Sequence, residues 1–179
     1  MALIHEELYK GGKLEELDFS LYLEKLTQYL FQTYRFGNTS IGLSMDMEDN
    51  LFFDMDTAIP LGMIVNELIS NSLKHAFTDR DKGEIIIKLC REKNGEYINC
   101  KEESKNEGCN ITSFTLTVSD NGVGVPENLA IEDIDSLGFQ LVTTLVDQLD
   151  GELEMKRNNG MEFTIRFPVI EKYNQALAP

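Results

Sequence analysis

Glu67, Asn71 and Lys74 stand at i, i+4 and i+7 in a segment that reads as one helix from Ile59 to Phe77. On a helix, that spacing places the three side chains within about 60° of one another. An acid, an amide and an ammonium in this order could bind Mg²⁺ through Asn71 and contact phosphate through Lys74, while Glu67 orients a water or takes a proton. Asn66, Ser70 and His75 extend the polar edge. Spacing alone also fits an ordinary solvated helix face, so the chemistry needs support from elsewhere in the chain.

Two glycine-bearing loops offer that support. Asp120-Asn121-Gly122-Val123-Gly124-Val125-Pro126 follows directly on a strand ending at Ser119. Glycines at i and i+2 let a flat ligand approach the backbone, and an aspartate at a strand end can accept a hydrogen bond from an exocyclic amine such as that of adenine. The same string is also common turn chemistry. Further on, Ser136-Leu137-Gly138-Phe139-Gln140-Leu141-Val142 opens a helix. Free N–H groups and the positive dipole end at such a start can take phosphate, and Gly138 has no side chain to block it. Ser136 as a simple N-cap is the alternative. The chain contains no GxxxxGK[ST] string and so no Walker loop.

The elements that must carry these residues follow from periodicity. Asp18 or Ser20 can cap a helix running to about Phe36, with Leu21, Leu23, Leu26, Leu30 and Phe31 as its apolar stripe and Tyr22 and Tyr29 near its edges. Ile41, Leu43, Met45 and Met47 alternate with Ser40, Gly42, Ser44 and Asp46, the pattern of a half-buried strand. Leu51 to Asp54 reads as a short strand, and Asp56 or Thr57 as the cap of the long helix, with Pro60 near its first turn. That helix has a broad apolar face of Leu61, Ile64, Val65, Leu68, Ile69 and Ala76. Strand alternation recurs at Phe114, Leu116 and Val118, at Leu153 and Met155, and at Phe163, Ile165 and Phe167. Glu84 to Leu89 is more continuously apolar and suits a central strand. Leu141, Val142, Leu145, Val146 and Leu149 form the buried stripe of a last helix. Met1 to Tyr9 has helical spacing and ends at Gly11-Gly12. The polar stretch from Glu92 to Asn110 reads as an enlarged hairpin loop.

One-sided strands together with amphipathic helices imply an α+β fold, a two-layer α/β sandwich whose mixed, mostly antiparallel sheet carries helices on one face. The chain has 179 residues, 42% of them apolar and 26% charged, which suits one globular domain with a short appendage. Acidic residues outnumber basic ones 31 to 16, for a formal charge of −15. A surface of that sign repels nucleic acid and anionic membranes, so neither is expected as a partner, and any phosphate must be held by local devices. No apolar run reaches the length of a membrane span, and Met1 opens no signal peptide. Cys90, Cys100 and Cys109 form no CxxC pair, which argues against a disulfide framework or zinc site and fits a reducing, cytoplasmic setting.

Taken in order, NELISNSLKHAF (Asn66 to Phe77), DNGVGVP (Asp120 to Pro126), SLGFQLV (Ser136 to Val142) and NGMEFTIRFP (Asn159 to Pro168) closely resemble the N, G1, G2 and final glycine boxes of the Bergerat-fold ATPases. That superfamily comprises gyrase, Hsp90, histidine kinases and MutL. The resemblance spans about Ile59 to Pro168, and within it the chain looks like the ATP-binding domain of a sensor histidine kinase. The short spacer from Pro126 to Ser136, the SLGFQLV helix start and the opening MALIHEELY point to a subgroup close to the HWE kinases, although the chain has Asn66 where those carry histidine and has no tryptophan.

The resemblance implies ATP and Mg²⁺ as cofactors. By it, Asp120 matches the aspartate that reads the adenine amine; Gly122 and Gly124, with Val123 and Val125, shape the adenine pocket; Asn71 matches the Mg²⁺ ligand. Glu67 matches the position that activates water in the superfamily's ATPases, and Lys74 and His75 fall where family residues contact phosphate or ribose. Gly138, with Leu137, Phe139, Gln140 and Leu141, matches the phosphate-binding helix start, and Met161 lies in the last box. Two departures stand out: Ser136 replaces a usual glycine, and Met161 replaces the threonine whose hydroxyl supports the adenine aspartate.

The implied organisation is the end of a dimerisation helix and linker over residues 1–17, an ATP-binding domain over 18–170 and a tail over 171–179. The implied activity is delivery of the γ-phosphoryl group of Mg·ATP to a histidine on a dimerisation domain expected upstream of Met1, and from there to a response regulator receiver domain. His5 is expected to be an ordinary helix residue. Two alternatives stay open, a stand-alone serine kinase of the anti-sigma-factor type and an interaction module that binds no nucleotide.

Overall fold

The computed structural model describes residues 16–34, 40–48, 51–78, 80–93, 96–97, 111–124, 137–157 and 159–170. In chain order the elements are β1 (Leu17–Asp18), α1 (Phe19–Thr33), β2 (Ser40–Met47), β3 (Phe52–Phe53) and α2 (Met55–Asn71), which continues into a π-type turn (Ser72–Ala76). They are followed by β4 (Lys82–Lys93), β5 (Glu96–Tyr97), β6 (Ile111–Asp120), α3 (Leu137–Gln148), β7 (Glu152–Arg157) and β8 (Met161–Ile170). The lead-in Met1–Tyr9, the box residues Val125, Pro126 and Ser136, the cysteines Cys100 and Cys109 and the tail lie outside the described residues.

The main sheet runs β2-β4-β6-β8-β7. β2 pairs with β4 in parallel, and every other pairing along it is antiparallel. The continuously apolar strand β4 is interior, flanked by the edge strand β2 and by β6, and the central place falls to β6. Its register aligns Ile85 with Asp120, Ile87 with Val118 and Leu89 with Leu116. Because side chains alternate, these residues share one face with Phe163, Ile165 and Phe167 of β8, and that face carries the core. All three described helices pack on it, which is the expected two-layer α+β architecture.

The opposite face is polar. Thr115 donates to Glu92, and Arg166 lies between Glu92 (3.6 Å) and Glu154 (3.4 Å). Of the expected hairpin loop after Glu92, the structure describes only the continuation of β4 to Lys93 and the short β5, which pairs back on β4.

Three local expectations shift. In α1 the cap is Asp18, whose carboxylate accepts from the Leu21 amide at 3.1 Å. The buried stripe of that helix is Phe19, Tyr22, Leu23, Leu26, Thr27 and Leu30, and Leu21 faces solvent. Starting the helix at Phe19 turns Tyr22 toward α2, where its ring meets Gly62: a β-carbon there would lie 2.7 Å from Tyr22 Cε1. Burial pushes the Tyr22 hydroxyl up to about 12 from its ordinary 10.0. In α2 the cap is Asp54, accepting from the Thr57 amide at 3.0 Å, so Asp56 lies inside the first turn, where its charge complements the helix dipole. Finally, the long helix keeps α geometry only to Asn71; from Ser72 to Ala76 it widens to π-type.

Candidate functional site

The site gathers at one end of the sandwich from four stretches distant in sequence: the end of α2, the loop after β6, the start of α3 and the start of β8. Asp120, the last residue of β6, anchors it. Its Oδ1 accepts the Gly122 amide at 2.9 Å and the Met161 amide at 3.4 Å, and its Oδ2 accepts the Ser72 hydroxyl at 2.7 Å. A carboxylate has about four acceptor positions, so these three donors leave one lone-pair direction on Oδ2.

Gly122 lies directly against the π-type turn, whose Ala76 carbonyl accepts the Val123 amide at 2.7 Å. The residue before Gly122, Asn121, is tied to β4: its Oδ1 accepts the Glu84 amide at 2.8 Å, its own amide donates to the Glu84 carbonyl at 3.2 Å, and Arg80 donates to its carbonyl at 2.7 Å. On the β8 side Gly160 has φ of +134°, and a β-carbon on it would come 1.9 Å from the Asp120 carbonyl oxygen. Only glycine fits there. Gly124 faces Gly160 across the same gap.

The start of α3 supplies the second half. Gly138 sits beside α2: a β-carbon on it would lie 3.0 Å from Glu67 Oε2 and 3.7 Å from Asn71 Nδ2. The missing side chain lets the start of this 12-residue helix approach a carboxylate and an amide of α2 closely. Leu137 is 84% exposed, Phe139 packs 6.5 Å from the Phe163 ring, Gln140 is exposed, and Leu141 packs on the core.

The structure therefore brings Glu67 and Asn71 together at Gly138, and Asp120, Gly122, Val123, Gly124 and Met161 together at the loop. It does not keep Lys74 with Glu67 and Asn71 as uniform α-helical spacing requires. The Lys74 ammonium lies 5.2 Å from the centre of the Tyr34 ring, just beyond α1. The π-type turn is the reason: it advances fewer degrees per residue than an α-helix, so residues after Asn71 fall out of the extrapolated phase. His75 is exposed, and its carbonyl accepts from Thr78. Ser72 and Arg80 escaped notice in the sequence. The signal for Ser72 was available, since it is a hydroxyl next to Asn71 on a polar helix edge.

A cavity of about 200 Å³ at the same end of the molecule opens toward the polar face of the sheet, lined by Glu84, Ile86, Ser119, Asn121, Asn159 and Glu162 with parts of Asp120 and Met161. Glu67, Asn71 and Gly138 do not line it. Among the described residues no group of three or more His, Cys, Asp or Glu could hold a metal by itself. A metal at Asn71 would have to share its coordination with a ligand's oxygens and water, the usual situation for Mg²⁺.

With this geometry, comparison with known proteins is direct. Residues 56–171 match the family described as histidine kinase-, DNA gyrase B- and HSP90-like ATPase. The chain belongs to that family. Residues 1–34 match a second family, described as histidine kinase. The chain is 33% identical over 119 residues to the sensor histidine kinase PdtaS of Mycobacterium tuberculosis, covering 65% of this chain and 20% of that protein. It is 32% identical over 101 residues to the serine-protein kinase RsbW of Listeria monocytogenes, covering 54% of this chain and 59% of that protein. In fold it is similar to the histidine kinase domain of the blue-light-activated histidine kinase EL346 of Erythrobacter litoralis. That likeness has a TM-score of 0.72 at 23% identity and covers 92% of this chain and 69% of that structure. The chain thus spans about a fifth of the length of the PdtaS relative.

Proposed function

We propose that this chain is the ATP-binding, catalytic part of a sensor histidine kinase. It holds Mg·ATP between the helix layer and the sheet and presents the γ-phosphoryl group to a histidine of a dimerisation domain. The receiver domain of a response regulator then takes the group from that phosphohistidine. The observation that carries this reading is the pairing of two half-sites: the Asp120 carboxylate with one acceptor position left, and the side-chain-free start of α3 beside Glu67 and Asn71.

Each residue has a role by its chemistry. The open lone pair of Asp120 accepts from the adenine amine, and Gly122, Val123, Gly124 and Val125 with Met161 border the base. Asn71 offers its amide oxygen to Mg²⁺, which when bound neutralises phosphate charge. The first-turn amides of α3 around Gly138 face phosphate oxygens, with Phe139, Gln140 and Leu141 completing that turn and Leu137 at the rim. Glu67 orients the attacking group or takes its proton. Lys74 and His75 reach phosphate or ribose from the rim, Lys74 by leaving the Tyr34 ring. We assign residues 18–170 to this domain, with 1–17 as the end of a dimerisation helix and linker and 171–179 as a tail; the burial of α1 supports its membership of the domain, and Leu17, buried and paired with Phe53, adjoins the same core. No described helix is long and apolar enough to cross a membrane, and we place the domain in the cytoplasm, where ATP is available.

Titration with Mg·ATP and Mg·GTP tests the reading. ATP should bind and GTP should not, because guanine places an acceptor where the amine of adenine donates. Equal affinities, or no binding of either, would remove it. The similarity to RsbW favours a second reading, a serine kinase acting on a separate protein. The match of residues 1–34 to a histidine kinase family speaks for the first. Acid-labile label on a supplied dimerisation domain, against acid-stable label on serine, separates the two.

A further inference from the structure

We infer that Ser72 is a positioning residue for base selectivity, fixing the Asp120 carboxylate so that its one open acceptor position points at an exocyclic amine. The inference rests on the nucleotide reading above and concerns a residue that the reading gives no part.

Ser20 of α1 donates across to the Glu48 carbonyl at 2.8 Å, whereas threonines on the helices turn back on their own backbone. Thr27 donates to the Leu23 carbonyl at 2.8 Å, Thr33 to Tyr29 at 2.8 Å and Thr144 to Gln140 at 2.8 Å. This is the usual local satisfaction of a helical hydroxyl. Ser72 differs. It is buried, it opens the π-type turn, and its hydroxyl leaves the helix to donate to Asp120 Oδ2 at 2.7 Å, 48 residues along the chain.

The other two donors to Asp120 are backbone amides, and both hold Oδ1. They fix one oxygen and leave the carboxylate free to rock about it. Ser72 is the donor that occupies a lone pair of Oδ2, and only with that oxygen fixed does its remaining lone pair keep one direction. A hydrogen bond to a charged acceptor is strong and directional, and a site built to pair an amine rejects a ligand that lacks it. Met161 brings only its backbone amide to Asp120, so the side-chain hydroxyl at this carboxylate comes from the helix layer.

The test compares Mg·ATP with the Mg²⁺ complex of purine riboside triphosphate, which is ATP without the 6-amino group, on the full chain and on Ser72→Ala. The full chain should prefer ATP by tenfold or more. Ser72→Ala should weaken ATP binding by about tenfold and change the analogue's affinity by less than threefold, so that the preference largely disappears. If Ser72 merely braces the fold, both ligands weaken equally, and that result overturns the proposal while leaving the nucleotide reading intact. An unaltered preference overturns it in the same way. A chain that binds neither ligand overturns the nucleotide reading and the role of Ser72 with it. Should Ser72→Ala lose its thermal transition, Ser72→Cys keeps the volume with a weaker donor and should show a partial loss of preference, again confined to ATP. Equal weakening of both ligands there counts against the proposal.

Discussion

A β-carbon on Gly122 would come 2.3 Å from the carbonyl oxygen of Ala76, the same oxygen that accepts the Val123 amide. The loop after β6 therefore touches the π-type turn after α2 backbone to backbone. Gly122→Ala would push the loop off the helix. Overpacking of this kind costs about 1–3 kcal/mol, so the thermal midpoint should fall by several degrees, and Mg·ATP binding should be lost in the protein that remains folded. Calorimetry and titration on the same sample check both.

Removal of the Asp120 carboxylate should cost stability as well as binding. Asp120→Ala leaves the Ser72 hydroxyl and the Gly122 and Met161 amides without their acceptor. Unpaired buried donors cost about 1–3 kcal/mol each where water cannot replace the partner. Denaturant midpoints should show the loss without any nucleotide present, and ATP affinity should fall by at least a hundredfold.

Asn71 should act through the metal. Asn71→Ala is expected to lower nucleotide affinity at least tenfold in the presence of Mg²⁺ and less than threefold in EDTA, because one amide oxygen beside the phosphates suffices for this ion. Equal losses under the two conditions would assign Asn71 to the fold or the base instead.

Tyr22 should make stability fall at high pH. Its hydroxyl is raised to about 12 in the folded chain against 10.0 when exposed, through burial. The folded state thus holds its proton more tightly, and this contribution is complete below pH 10 and lost as pH rises to 12. Urea midpoints should decline across that window, and the decline should be shallower in Tyr22→Phe. At neutral pH, Gly62→Ala, which drives a β-carbon to 2.6 Å from the Tyr22 hydroxyl and 2.7 Å from Cε1, should destabilise the parent more than Tyr22→Phe, which lacks the nearest atom.

His75 should not accept phosphate. It is exposed on the π-type turn, four residues after Asn71, and its proposed contact lies at the rim, whereas transfer needs an acceptor held in line with the bond to be broken. With labelled ATP and a supplied dimerisation domain, acid-labile label should appear on that domain, and His75→Ala should not remove it. Label on His75 would contradict the assignment.

Much of this protein could be read from its residues in order. Strand alternation told which residues of each strand share the core face, because a side-chain period of two is a local property of the backbone, while the pairing of strands came from the tertiary structure. The apolar face of α2 and the four boxes were likewise legible, being short strings whose residue types are tied to close approach, caps and polar pairing. The cap of α2 was misplaced to Asp56 or Thr57, because Asp54 and Asp56 offer the same chemistry and only the chain's entry from β3 selects between them. Leu21 was misplaced into the core for a similar reason: one residue of helix phase decides whether it or Tyr22 faces α2. Tertiary structure alone decided which polar groups meet. The widening at Ser72–Ala76 breaks the helical phase that joined Lys74 to Glu67 and Asn71, while Ser72 meets Asp120 across the layers. A bond between residues 48 apart depends on how two layers are stacked, and local periodicity carries no information about that stacking.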